Sequence, residues 1–344
     1  MKSFAAALAL SITAALPASA MDPATKASST IDRYEVPSTV SPEAKARLEL
    51  IYRFLRAASP QTKPDSIVEW DRRKAASDAF GASISQPIID ALRVSLADDR
   101  LGNVPVVRFR PAGWKPTGRT LLFVHGGGYV TGSARGNASD AAQMAALSGN
   151  EVISIDYTLA PRGRWQGVTD EIVAVWQALL KSGAKPNSVG LYGGSAGGGL
   201  AAGAVLKMRD KGLPLPGALY LMSPWSDITA TGDTITTLAG AEPLLTSESL
   251  AWGADLYADP ADQKHPYVSP VYGDYSKAFP PTLIQVGTRE IFLSHAVRHY
   301  QAIRGGGHEA ILDVYEGMPH GFPSLFTETP EGRTAFGRAP NFMA

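Results

Sequence analysis

Cysteine is absent from all 344 residues, which excludes disulfides, thiolate metal sites and a lipid-modified cysteine behind a leader. An excess of either charge is also missing. The 32 Lys and Arg balance the 32 Asp and Glu, so no basic surplus points to nucleic acid and no charge run marks a membrane patch. Charged residues make up 19% of the chain and hydrophobic ones 44%, an ordinary balance for a soluble globular protein. Long apolar runs are scarce too. The one at the start, Ser3 to Leu16, is too short and too alanine-rich for a membrane span. It stands between the positive Met1-Lys2 and the small-x-small Ala18-Ser19-Ala20, the pattern of a secretory signal peptide over 1–20. The expected mature chain starts near Met21, in the periplasm or secreted, with no stable membrane anchor.

What is present reads as one large α/β unit. Residues 22–40 are polar and rich in Ser, Thr and Pro, and predict a loosely held arm. Ser41-Pro42-Glu43 then opens a helix with a cap, a first-turn proline and an acid at the positive end of the dipole. Leu48, Ile51, Tyr52 and Leu55 form one apolar stripe on it, which fits either a core helix or a lid. Leu92 to Leu96 and Val104 to Arg110, around Leu101-Gly102-Asn103, predict an antiparallel hairpin. Apolar strands at 120–124, 151–155, 188–192, 218–222, 282–286 and 311–314 then alternate with helical stretches at 139–147, 169–180 and 200–211. That alternation predicts a mostly parallel eight-stranded sheet with helices on both faces. Between Asp227 and Pro281 the rhythm breaks for about fifty residues, long enough to be a functional insertion; it holds a helical 246–257.

Two glycine-rich turns carry the chemistry. Gly193-x-Ser195-x-Gly197 follows a strand and precedes a helix, the context of a nucleophile elbow, though a plain glycine turn has the same letters. His125-Gly126-Gly127-Gly128 follows the strand 120–124; its glycines let backbone N–H groups face an anion. A phosphate loop is the competing reading, but no Gly-Lys-Ser/Thr follows and no GxGxxG spacing fits.

Together these stretches resemble the hormone-sensitive-lipase-like (bacterial family IV) carboxylesterases of the α/β-hydrolase fold. The resemblance extends to Asp156-Tyr157-Thr158-Leu159-Ala160-Pro161, Ser223-Pro224-Trp225 and His320-Gly321-Phe322, and so covers most of the chain from Val104 to Phe322. It implies Ser195 as nucleophile, with Gly127, Gly128 and Ala196 as oxyanion donors. The family order places an acid next and a histidine last. Many members have Asp-Pro-Leu after the seventh strand, whereas this chain has Glu290-Ile291-Phe292, so Glu290 is the matching acid and Asp313, inside a predicted strand, the alternative.

Of the six histidines, His320 follows the last strand and ends beside Ser195 at the carboxyl edge of the sheet. His125 shapes the glycine loop, His265 lies in the insertion and His308 in a glycine turn. His295 and His299 have a metal-like spacing of four but no third ligand, and read as a solvated helix face. The resemblance further implies a cap over the acyl pocket from about 22–90 and 227–270, in front of a catalytic domain over 91–344. On that basis Leu48 and Tyr52 join Tyr129 as candidate substrate-binding residues. The expected substrate is a small-molecule ester with a short or medium acyl chain. A lactonase, an amidase or a sugar-ester deacetylase would use the same triad, and a non-catalytic ligand-binding protein is the reading outside enzymology. No cofactor, metal or nucleic-acid partner is expected. Members of the family often dimerise, although no interface is legible here.

Overall fold

The computed structural model describes residues 32–58 and 62–343. The signal-peptide segment 1–20 and the first part of the arm lie outside the described residues.

From residue 32 onward the arm is held, not loose. The buried Arg289 donates to the backbone oxygens of Asp32 (3.3 Å) and Glu35, and Ser41 N–H donates to Glu331 at 2.7 Å. A polar segment can dock this way because its backbone carbonyls satisfy a guanidinium that burial would otherwise leave unpaired. Helix α1 (Pro42–Ala57) follows, capped by the Ser41 hydroxyl on Ala44 N–H. Its stripe is one-sided. Leu48 and Tyr52 are buried against Met318, Phe322, Phe326 and Ala335, while Leu50 and Phe54 on the opposite face stay exposed. The stripe therefore seals a satellite core beneath the chain's last turns. Helix α2 (Ile67–Leu92) takes in Leu92, which the sequence pattern assigned to a strand, and ends on Arg93 at φ 53°.

Strands β1 (Ser95–Leu101) and β2 (Val104–Arg110) form the expected hairpin, turned at Gly102 and Asn103 with φ of 57° and 65°. The alternating part comprises β3 (Thr120–Val124), α3 (Ala138–Ser148), β4 (Glu151–Ile155), α4 (Trp165–Lys181), β5 (Val189–Gly194), α5 (Ala196–Asp210) and β6 (Ala218–Met222). The insertion carries the one-turn α6 (Thr234–Thr237) and α7 (Ser247–Tyr257). Then come β7 (Thr282–Gly287), α8 (Leu293–Gly305), β8 (Ala310–Tyr315), the one-turn α9 (Phe322–Leu325) and α10 (Pro330–Phe342).

The eight strands form one sheet in the order β1-β2-β4-β3-β5-β6-β7-β8, parallel from β4 to β8 and antiparallel in the pairings of β2 with β1 and β4. With helices on both faces this is the α/β-hydrolase fold. Central strands are buried on both sides, which is why they read as continuous apolar runs. Leu122, Leu191 and Leu221 pack with α4 and α5 on one face; Phe123, Tyr192 and Tyr220 pack with α3 and α10 on the other. Because β3, β5, β6, β7 and β8 run in parallel, the loops leaving their carboxyl ends gather at one edge of the sheet.

Candidate active site

The turn between β5 and α5 puts Ser195 at φ 56° and ψ −126°, a conformation that costs a non-glycine residue roughly 1–3 kcal/mol. The neighbours explain how it is sustained. A Cβ on Gly193 would lie 2.4 Å from Gly197 O, and one on Gly197 would lie 2.1 Å from Val124 O, so only glycine lets the two backbones close on each other. Ser195 N–H donates to Met222 O (2.9 Å), and its carbonyl accepts from Gly198 and Trp225. These bonds hold the strained residue between β5 and β6.

The loop after β7 brings Glu290 to the same edge, fully buried. Its Oε1 accepts from Gly287 N–H (2.6 Å) and from the Ser223 hydroxyl (2.8 Å). Its Oε2 meets His320 Nδ1 at 3.2 Å. With one oxygen fixed by two donors, the other is aimed at the imidazole, and Nε2 is left as the ring nitrogen available to a hydroxyl in the cleft. Phe292 packs edge-on against the His320 ring at 5.2 Å. Asp313, the competing acid, lies within β8 and accepts from Gln285 of β7 (3.0 Å), Tyr315 (3.1 Å) and Arg338 of α10 (3.1 Å). It has no bond to His320.

The glycine loop after β3 approaches the elbow closely, since a Cβ on Gly126 would meet Ser195 Cβ at 3.2 Å. Gly127 and Gly128 have φ of 118° and 61°. Among the described residues the N–H groups of Gly127, Gly128 and Ala196 donate to no backbone acceptor in the turns and loops. Ala196 opens α5, where a helix leaves its first N–H groups unpaired. His125 is buried behind the loop, its Nδ1 2.8 Å from Gly126 O and its ring stacked on Tyr157. Burial holds its pKa below the usual histidine range.

Ser195, Gly127, Gly128 and His320 line one cleft of about 490 Å³, with Trp70 and Phe80 of α2 and Leu245 and Trp252 of the insertion among its other walls. A larger cleft of about 950 Å³ lies on the other flank of α2 and does not include Ser195. None of the three candidate substrate-binding residues lines the catalytic cleft. Leu48 and Tyr52 face the satellite core, and Tyr129, at φ 66°, turns its ring inward to stack on Tyr257 at 3.8 Å. His295 and His299 are also corrected. Both are fully buried, because α8 lies against the sheet with that face inward. His299 sits between Ser226 Oγ (2.8 Å) and Tyr275 OH (2.7 Å), and burial pushes the two pKa values down to about 3 for His299 and about 4 for His295. No group of three or more His, Cys, Asp or Glu among the described residues is placed to hold a metal.

Near the triad, Arg289 and Glu242 were given no role from sequence, and Ser223 entered only through the Ser223-Pro224-Trp225 resemblance. Ser223, at φ 44°, also accepts Gly321 N–H at 3.0 Å and so ties the acid to the residue after His320. Arg289 joins the acid loop to Ala241 O of the insertion and to the arm. Glu242, fully buried, accepts from Leu244 N–H (2.8 Å) and Ile291 N–H (3.4 Å). Burial pushes its pKa up to about 7, with His320 pulling it down and Glu290 pushing it up.

Residues 121–324 match the family described as the alpha/beta hydrolase fold. An acetyl-hydrolase of Streptomyces hygroscopicus is 33% identical over 303 residues, spanning 88% of this chain and 96% of that protein. The solved structure of an esterase from the bacterial hormone-sensitive lipase family is 31% identical, with a TM-score of 0.79 over 88% of this chain and 97% of that one. A hormone-sensitive lipase from a metagenome library gives a TM-score of 0.80 at 28% identity, covering 89% and 98%.

Proposed function

Because the chain belongs to the alpha/beta-hydrolase family and, within it, to the hormone-sensitive-lipase-like carboxylic ester hydrolases, we propose that it hydrolyses short- to medium-chain esters through an acyl-enzyme on Ser195. The observation that carries this reading is the convergence, on one cleft, of a strained serine, a carboxylate-bound imidazole and backbone N–H groups without backbone acceptors.

In this mechanism His320 Nε2 takes the Ser195 proton as Oγ attacks the ester carbonyl. The oxyanion is held by the N–H groups of Gly127, Gly128 and Ala196, and each such donor is worth about 2.7–4 kcal/mol where measured in other hydrolases. The imidazolium then protonates the departing alcohol, and Glu290 keeps the proton on Nδ1 and stabilises the cation. Water repeats the sequence on the acyl-enzyme. The strain at Ser195 keeps its hydroxyl exposed with no rearrangement before attack. A cleft of about 490 Å³ and a relative named as an acetyl-hydrolase both support small acyl groups. The residues 1–20 support export, which fractionation of the producing cell tests.

The test of function is hydrolysis of p-nitrophenyl esters of graded acyl length by the mature chain, with Ser195→Ala alongside. Turnover that peaks at short acyl groups and vanishes in the variant is expected; turnover undiminished in the variant overturns the assignment.

A further inference from the structure

The cleft that holds Ser195 and His320 is lined by a carboxyl group that hydrolysis does not use. Ser139 and Asp140 at the start of α3 line it, as do Gly321 and Ser324 of the segment that follows His320. The Asp140 carboxylate is half-buried, accepts a hydrogen bond from the Ser139 hydroxyl (3.4 Å) and has the Ser324 hydroxyl close by. Burial pushes its pKa up to about 6, and the two serine hydroxyls favour the charged form. Among the described residues no cation figures in its surroundings. The one arginine lining this cleft, Arg73, is on the α2 wall, lying over the rings of Trp70 and Trp252 and donating to Thr62 O at 2.6 Å.

An acid in the first turn of a helix is ordinarily explained by the dipole. That accounts for Asp140 being tolerated, but not for its facing the cleft, where its carboxylate accepts from the Ser139 hydroxyl and not from a helix N–H. A partly desolvated carboxylate with only neutral hydroxyls about it gains most from a cation. Its position decides which half of an ester it meets. The imidazole that protonates the departing oxygen must stand beside the alcohol moiety, and Ser324, the hydroxyl close to Asp140, is four residues from His320 on the same cleft.

We propose that Asp140 determines specificity by receiving a cationic group, a quaternary or protonated amine, on the alcohol part of the ester. This inference rests on the esterase reading given above, and the two are separable by experiment.

The test compares kcat/KM for acetylcholine and for its uncharged isostere 3,3-dimethylbutyl acetate at low, constant ionic strength. Both share the acetyl group and differ in replacing the nitrogen cation by carbon. The wild type is expected to favour the cationic ester by about tenfold, and Asp140→Asn to bring the ratio close to one. The ratio is read on one preparation, so a lower folded fraction cancels. A wild-type ratio of one or below, or a ratio kept within about twofold in Asp140→Asn, overturns the proposal. Ser195→Ala is assayed on the neutral ester: retained turnover there overturns the esterase reading, and its loss leaves that reading standing whatever the ratio shows.

Discussion

Removing the Ser223 hydroxyl should disable the triad without touching any of its three members. The hydroxyl donates to Glu290 Oε1 at 2.8 Å and accepts Gly321 N–H at 3.0 Å, so Ser223→Ala leaves the carboxylate with one fixing donor and a backbone N–H without its partner. A hydrogen bond to a charged group contributes about 1.5–3 kcal/mol. If that loss is felt when the imidazolium forms, kcat falls by about 10–100-fold, because about 1.4 kcal/mol is a factor of ten, while KM barely moves. Stability separates the hydroxyl from the backbone. Ser223 holds φ 44°, which costs an L-residue about 1–2 kcal/mol, whereas glycine escapes that strain at an entropic cost of about 0.5–1 kcal/mol. Ser223→Gly should therefore melt above Ser223→Ala while losing as much kcat. Steady-state kinetics on p-nitrophenyl butyrate and thermal unfolding of both variants make the comparison. A kcat in Ser223→Ala within twofold of wild type, or losses of kcat that follow the two melting temperatures, would refute the reasoning.

Exchanging the acids should show which one serves His320. Glu290→Gln is expected to lower kcat by about two to four orders of magnitude and Asp313→Asn by no more than a few-fold, since only Glu290 touches the imidazole; equal losses would count against Glu290. Gly193→Ala pushes a Cβ to 2.4 Å from Gly197 O, and calorimetry should show a Tm lower by about 5–10 °C, whereas an unchanged Tm would mean that the elbow can relax. Glu242 predicts a pH signature. Its folded pKa, about 7, lies above the unfolded carboxylate value, so between about pH 4.5 and 7 the folded state binds the extra proton and stability falls as pH rises. From pH 5 to 8, denaturant titrations should show the wild type losing about 2.5 kcal/mol more than Glu242→Gln, and parallel profiles would exclude that role.

The strands were legible because a doubly covered parallel sheet demands continuous apolar runs, and 120–124, 151–155 and 218–222 fall where β3, β4 and β6 begin and end. That Ser195, Glu290 and His320 come together at one edge was legible because turns that tolerate only glycine leave a literal trace, and because the order of such loops along the chain is set by the sheet. Periodicity shows that a face is apolar, not what covers it. The α1 stripe was visible, yet its partners around Met318 and Phe322 lie some 270 residues away, so Leu48 and Tyr52 were misassigned to the pocket. His295 and His299 show the reverse case, polar letters at helical spacing that pack neutral in the interior. Tyr129 adjoins the glycine loop in sequence, but its positive φ swings the ring away. The roles of Ser223 and Glu242 rest on side-chain bonds to distant loops, to Glu290 and Gly321 for the one and to Ile291 for the other, and no local spacing marks such bonds.

The central claim is that Ser195 carries the acyl group. Mixing the protein with excess p-nitrophenyl butyrate, quenching in acid during turnover and mapping the peptides by mass should find a butyryl adduct on Ser195 and none in Ser195→Ala. An adduct on another residue that forms and decays at the rate of turnover, or turnover with no adduct and no burst of p-nitrophenol even when deacylation is slowed, would contradict the account.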